Sequence, residues 1–65
     1  MNDLLKVLIV DDLLATGGSA RALTNLTERQ GGEIAGYVFL VELTGLKGRE
    51  GLRDVKKVSI IEYEF

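Results

Sequence analysis

Five small residues, Ala15-Thr16-Gly17-Gly18-Ser19, follow two adjacent carboxylates, Asp11 and Asp12, at the end of the apolar run Val7-Leu8-Ile9-Val10. These types in this order suit a sugar phosphate. A phosphate cradle needs several N–H groups pointing inward, which calls for small side chains and for backbone angles that glycine tolerates. Thr16 and Ser19 add hydroxyl donors, and a helix starting here adds partial positive charge. Carboxylates just upstream can accept hydrogen bonds from sugar hydroxyls.

Each feature also has a plainer use. A Gly-Gly pair flanked by hydroxyl residues serves as the turn into any helix, and two acids can be the solvated end of a buried strand. Adjacent carboxylates carry a cost, however: two like charges about 4 Å apart repel by about 1 kcal/mol in water and by more where partly buried. Two ribose hydroxyls, or a divalent cation, would offset that repulsion. Because side chains alternate along a strand, both acids reach one ligand only if the chain has left the extended conformation. No lysine follows the glycines, so the run is neither the P-loop pattern nor G-x-G-x-x-G.

These residues need elements to hold them. Lys6 to Val10 reads as a first strand, and its continuous apolar character suits a parallel strand covered on both faces. Asp11 to Ser19 is then the loop. A helix follows from about Gly18 to Gln30, with Ala20, Leu23 and Leu26 at helical spacing and Ser19 or Thr16 as its cap. Gly31-Gly32 stops it, one glycine taking the left-handed conformation. Ile34 to Leu43 is a second strand, in which Gly36 marks a bulge or a close backbone approach. Thr44 to Lys56 is a surface connection with one helical turn near Arg49 to Leu52, and Val58 to Tyr63 is a third strand. The outcome is a βαβ unit plus a C-terminal strand, with the loop at the carboxyl end of the first strand, where open α/β sheets bind ligands. One helix covers one sheet face, whereas Val7 to Val10 and Val38 to Val41 ask for two. Another copy, another chain or further sequence is expected over the second face.

Composition narrows the classes. Sixty-five residues make at most one small domain, of the size that usually needs a staple or a partner. With no Cys and no His, disulfides and Cys/His metal sites are excluded. A net charge of −2 gives no basic footprint for nucleic acid. No apolar run reaches the roughly 20 residues of a membrane span, and Met1-Asn2-Asp3 lacks the positive start of a signal peptide. The expected setting is cytoplasmic, with neither nucleic acid nor membrane as partner.

The run Val10-Asp11-Asp12-Leu13-Leu14-Ala15-Thr16-Gly17-Gly18-Ser19 resembles the phosphoribosyl-pyrophosphate (PRPP) loop of the type I phosphoribosyltransferases. The stretch Phe39 to Glu50, F-L-V-E-L-T-G-L-K-G-R-E, is similar to the C-terminal region of their adenine-specific branch. The resemblance implies an α/β fold: part of a phosphoribosyltransferase-type parallel sheet, as a single partial domain over residues 1–65. It implies that Asp11 and Asp12 hold the ribose hydroxyls and that Ala15, Thr16, Gly17, Gly18 and Ser19 bind the 5′-phosphate. It sets Leu43 near the base. Ala15 stands where hypoxanthine-guanine relatives carry an Asp, and Ser19 replaces the more usual threonine while keeping the hydroxyl. Lys47, Arg49 and Glu50 read as a solvated segment without a role.

The reaction implied is transfer of ribosyl phosphate from PRPP to adenine, giving AMP and pyrophosphate in purine salvage, with Mg on the pyrophosphate and no metal ligand in this chain. The family's pyrophosphate loop, its lid with the acidic catalytic residue and most of its adenine pocket have no counterpart here. The chain is therefore expected to carry a ribose-5-phosphate half-site and to be inactive alone. It would form a homodimer or pair with a complete homologue. The alternative is a fragment that binds a nucleoside monophosphate, or a partner, without catalysis.

Overall fold

The computed structural model describes residues 5–64. Three parallel strands, in the order β1-β2-β3, form the sheet: β1 is Leu5–Leu14, β2 is Gly32–Leu43 and β3 is Lys56–Tyr63. The helix α1, Gly18–Arg29, links β1 to β2, and two 3-10 turns, Thr44–Leu46 and Gly48–Gly51, lie between β2 and β3. The expected α/β order, βαβ plus a third strand, is the order found.

Several boundaries differ from the expectation. β1 does not stop at Val10 but runs to Leu14, so Asp11 and Asp12 lie within the strand. The cause is pairing: β2 offers Phe39, Val41 and Glu42 as partners to Asp11, Leu13 and Leu14, and ladder bonds outweigh the local polarity of two acids. The loop shrinks to Ala15–Gly17. α1 has no side-chain cap; Gly17 takes the cap position with φ 88°. Gly31, at φ 87°, is the left-handed stop. The β1–β2 register shifts between Val7 and Leu8, beside Gly36. A Cβ on Gly36 would lie 3.1 Å from the Lys56 carbonyl oxygen, so bulge and close approach coincide there.

The core lies between α1 and one sheet face: Ile9, Leu14, Ala20, Ile34, Tyr37 and Phe39, with Val7, Leu52 and Val55 packed against it. Tyr37 and Phe39 are fully buried, their rings stacked at 6.1 Å between centroids. The helix face turned inward is not Ala20-Leu23-Leu26. Ala20 and Thr24 are buried, while Leu23 and Leu26 are exposed. Thr24 is at home there because the Tyr37 hydroxyl lies 2.7 Å from its oxygen. Thr24 donates to the Ala20 carbonyl and the Arg53 amide donates to Tyr37 Oη, so the tyrosine hydroxyl must donate to Thr24. Every polar atom of that buried chain is satisfied.

Along the strands the inward positions change phase. They are Ile9 and Asp11, then Leu14; Tyr37 and Phe39, then Glu42. No pairing runs through Asp12, Leu40 or Ile60, which lie along one line across the sheet. Beyond that line the strand ends turn new side chains toward the helix side, including Glu42, which is 3% exposed.

Candidate functional site

The site is built where β1 hands over to α1. Leu14 is buried and anchors the strand end. The chain then bends through Ala15, Thr16 and Gly17 into the first helical turn. Gly17 is required twice over. Its φ of 88° lies in the left-handed region, and a Cβ there would come within 2.5 Å of the Gly48 carbonyl oxygen. Gly48 is required in turn: its Cβ would meet the Ala15 carbonyl oxygen at 2.3 Å and the Gly17 amide nitrogen at 3.0 Å. The bend and the second 3-10 turn therefore lock backbone against backbone. Lys47, at φ 56°, delivers Gly48 to that contact.

The amides of this bend are free. Among the described residues, none of the N–H groups from Thr16 to Ala20 donates to a protein acceptor. The first helical bond is from the Arg21 amide to the Gly17 carbonyl, at 2.8 Å. A cavity of about 200 Å³ opens on this stretch, lined by Leu13 to Ala20. All five residues expected at the phosphate, Ala15, Thr16, Gly17, Gly18 and Ser19, line it.

Asp11 stands beside the bend. Ser19 Oγ donates to its Oδ2 at 3.3 Å, and the Asp12 amide donates to its Oδ1 at 2.8 Å. Both carboxylate oxygens are thus held in place, each with a lone pair to spare. Asp12 is exposed and lies on the alternate side of the strand, because the chain is still extended there. The structure brings Asp11, but not Asp12, to the start of the helix. Leu43, half-buried at the end of β2, pairs in register with Tyr63 and does not line the cavity at the bend.

Arg49, expected as a solvated residue, is docked by its side chain while staying partly in water. Its Nε donates to both oxygens of Glu42, at 2.9 and 2.8 Å, and its Nη2 reaches Ser59 Oγ at 3.3 Å and Glu62 at 3.8 Å. Ser59 donates to Glu42 at 2.7 Å. The Arg49 bonds hold the Glu42 carboxyl below its ordinary range, with burial opposing them and Ser59 assisting. This network ties the Gly48–Gly51 turn to β2 and β3, and so fixes the segment against which the bend rests. Sequence reasoning missed it because a polar, glycine-containing stretch looks the same whether solvated or docked. The signal that could have drawn attention was an acid, Glu42, closing the apolar run Tyr37 to Val41.

Most of the chain has known relatives. It is 53% identical over 58 residues to adenine phosphoribosyltransferase of Rippkaea orientalis, a match covering 89% of this chain and 34% of that protein. The crystal structure of adenine phosphoribosyltransferase from Thermoanaerobacter pseudethanolicus matches with a TM-score of 0.85 and 45% identity, over 92% of this chain and 36% of that one. By sequence and by fold, this chain is a homologue of part of the adenine phosphoribosyltransferases. The Saccharomyces cerevisiae adenine phosphoribosyltransferase, solved with D-2,5-dideoxy-2,5-imino-altritol 1,6-bisphosphate and adenine, matches with a TM-score of 0.77 and 41% identity, over 86% and 33% of the two chains. The chain spans about a third of the length of the adenine phosphoribosyltransferases it matches. No family model matches it.

Among the described residues no three His, Cys, Asp or Glu side chains come together as a metal cage. Asp11 and Asp12, on alternate sides of a strand, do not make one. No helix among the described residues is long and apolar enough to cross a membrane.

Proposed function

We propose that this chain forms the ribose-5-phosphate half of an adenine phosphoribosyltransferase site. In that reading the amides of Ala15 to Ser19, with the Thr16 hydroxyl and with the Ser19 hydroxyl once it turns from Asp11 to the ligand, bind the 5′-phosphate of PRPP or AMP. Asp11 accepts from a ribose hydroxyl, and Asp12 joins it once the strand end bends toward the ligand. Leu43 lies toward the base. Magnesium, where used, arrives with the pyrophosphate of the substrate. The complete reaction would be adenine plus PRPP to AMP plus pyrophosphate, in cytoplasmic purine salvage. Charge develops on the ribose as pyrophosphate leaves, so a loop that fixes the 5′ end works by positioning and electrostatics.

One observation carries this reading: the amides of Thr16 to Ala20, which line the cavity where β1 meets α1, have no protein acceptor among the described residues. Unpaired N–H groups at a helix start attract an anion, and a phosphate supplies several acceptors at once. The test is amide-resolved NMR of the 65-residue chain titrated with AMP and, separately, adenosine. Saturable shifts centred on Asp11 to Ser19 with AMP, and none at Thr16 to Ser19 with adenosine, are expected. No response at millimolar AMP would sink the reading. The chain alone is expected to make no AMP from adenine and PRPP above background.

A second reading, binding without catalysis in partnership with another copy or a complete homologue, is favoured by one further observation. Among the described residues the sheet face opposite α1 is apolar and uncovered, with Leu8, Val10, Leu40 and Ile60 each more than half exposed. Sedimentation equilibrium separates the two: a strict monomer with cooperative unfolding argues against pairing.

A further inference from the structure

Arg21 occupies an unusual place for a cation. It sits in the first turn of α1, where the helix dipole disfavours positive charge, and that turn holds no acidic residue. Its guanidinium folds back over the bend, where Nη1 donates to the Thr16 carbonyl at 3.0 Å. Glycines make room for it. A Cβ on Gly17 would lie 3.3 Å from Nη1, and one on Gly51 would fall 2.8 Å from Cδ and 2.9 Å from Nη1. Among the described residues no carboxylate lies within ion-pair distance of Arg21, whereas Arg49 and Arg53 are both paired.

We infer that Arg21 is a positioning residue for the phosphomonoester site, an inference that rests on the phosphate reading above. It acts in two ways. It takes the Thr16 carbonyl oxygen, an acceptor that would otherwise repel a phosphate oxygen, and so fixes the orientation of the Thr16–Gly17 peptide plane. Its uncompensated charge, added to the helix start, favours the dianionic over the monoanionic phosphate. The unfavourable placement of a cation in the first turn is then offset when an anion binds.

The experiment uses the whole chain and two variants, Arg21→Gln and Arg21→Lys, with circular dichroism confirming that each is folded. AMP affinity is measured at pH 5 and pH 7.5, on either side of the phosphate's second ionisation near pH 6. For the unaltered chain, affinity should rise several-fold between the two. Arg21→Gln should weaken AMP binding about tenfold at pH 7.5, equivalent to about 1.4 kcal/mol, and should flatten the pH dependence. Arg21→Lys should restore the pH dependence while recovering only part of the affinity, because an ammonium keeps the charge but not the fork. If the unaltered chain does not bind AMP, the phosphate reading fails and this inference with it. If the chain binds AMP and Arg21→Gln matches it in affinity and pH profile, this inference alone is overturned. A loss that is equal in both variants and at both pH values also overturns it, since a purely structural role would give that result.

Discussion

Two residues without side chains hold the proposed phosphate bend. A Cβ on Gly17 would enter the backbone of Gly48, and a Cβ on Gly48 would enter the backbone of Ala15 beside Gly17. Gly31 provides the natural control. It shares the positive φ, at 87° against 88° for Gly17, but has nothing within 4 Å of a Cβ position. Gly31→Ala should therefore cost only the left-handed penalty, about 1 kcal/mol, and leave ligand binding intact. Gly17→Ala adds a clash with backbone that cannot step aside, so the loss should exceed about 2 kcal/mol and AMP binding should disappear. Urea midpoints for the two variants check this directly. Equal losses would show that the Gly17–Gly48 contact contributes nothing beyond φ.

At the scale of elements, the segment from Thr44 to Gly51 supports the bend through a charge network rather than an apolar one. Arg49 clamps Glu42 and Ser59, joining the turn to two strand ends. Glu42→Gln should destabilise the fold by about 1–2 kcal/mol, since Arg49 remains partly in water. The same pair sets a pH dependence. The Glu42 carboxyl is held below its ordinary value of 4.5. Its contribution is therefore complete above that value and is lost as pH falls through the lowered one. Glu28, lowered by its bonds to Arg53, acts in the same direction. The urea midpoint should be flat from pH 7 to 5 and fall below about 4.5. The fall should be shallower in Glu42→Gln, and an unchanged acid limb in that variant would remove Glu42 from the account.

The described residues form a two-layer arrangement, helix on sheet, in which none of them covers the outer face of the sheet. α1 covers one side of the sheet; on the other, Val10 and Ile60 are each 65% exposed, close to Leu8, Leu40 and Val58. A contiguous apolar sheet face on so small a chain leaves much of its hydrophobic area in water and favours association. The chain alone should bind the dye ANS. Replacing Val10 and Ile60 by threonine, which keeps the β-branched shape, should at least halve the fluorescence gain and raise solubility without loss of helix by circular dichroism. Full dye binding in that double variant would mean that the exposed surface lies elsewhere, for instance around Leu23 and Leu26 on α1.

The elements themselves were legible in the chain. Periodicity and turn chemistry marked three strands, one helix, the left-handed stop at Gly31 and the irregularity at Gly36, because each follows from interactions between near neighbours. The unequal covering of the two sheet faces also followed from counting one helix against apolar strands. Where β1 ends was not legible, since two acids look like a strand end until β2 supplies partners for them. The inward face of α1 was misread for a similar reason: a threonine enters the core only because a tyrosine hydroxyl waits for it across the interface. Which residues line the candidate site was readable from the run Ala15 to Ser19. What holds that run in shape was decided by tertiary structure, because Gly48 and the Arg49–Glu42 pair act through contacts between segments that no local pattern brings together.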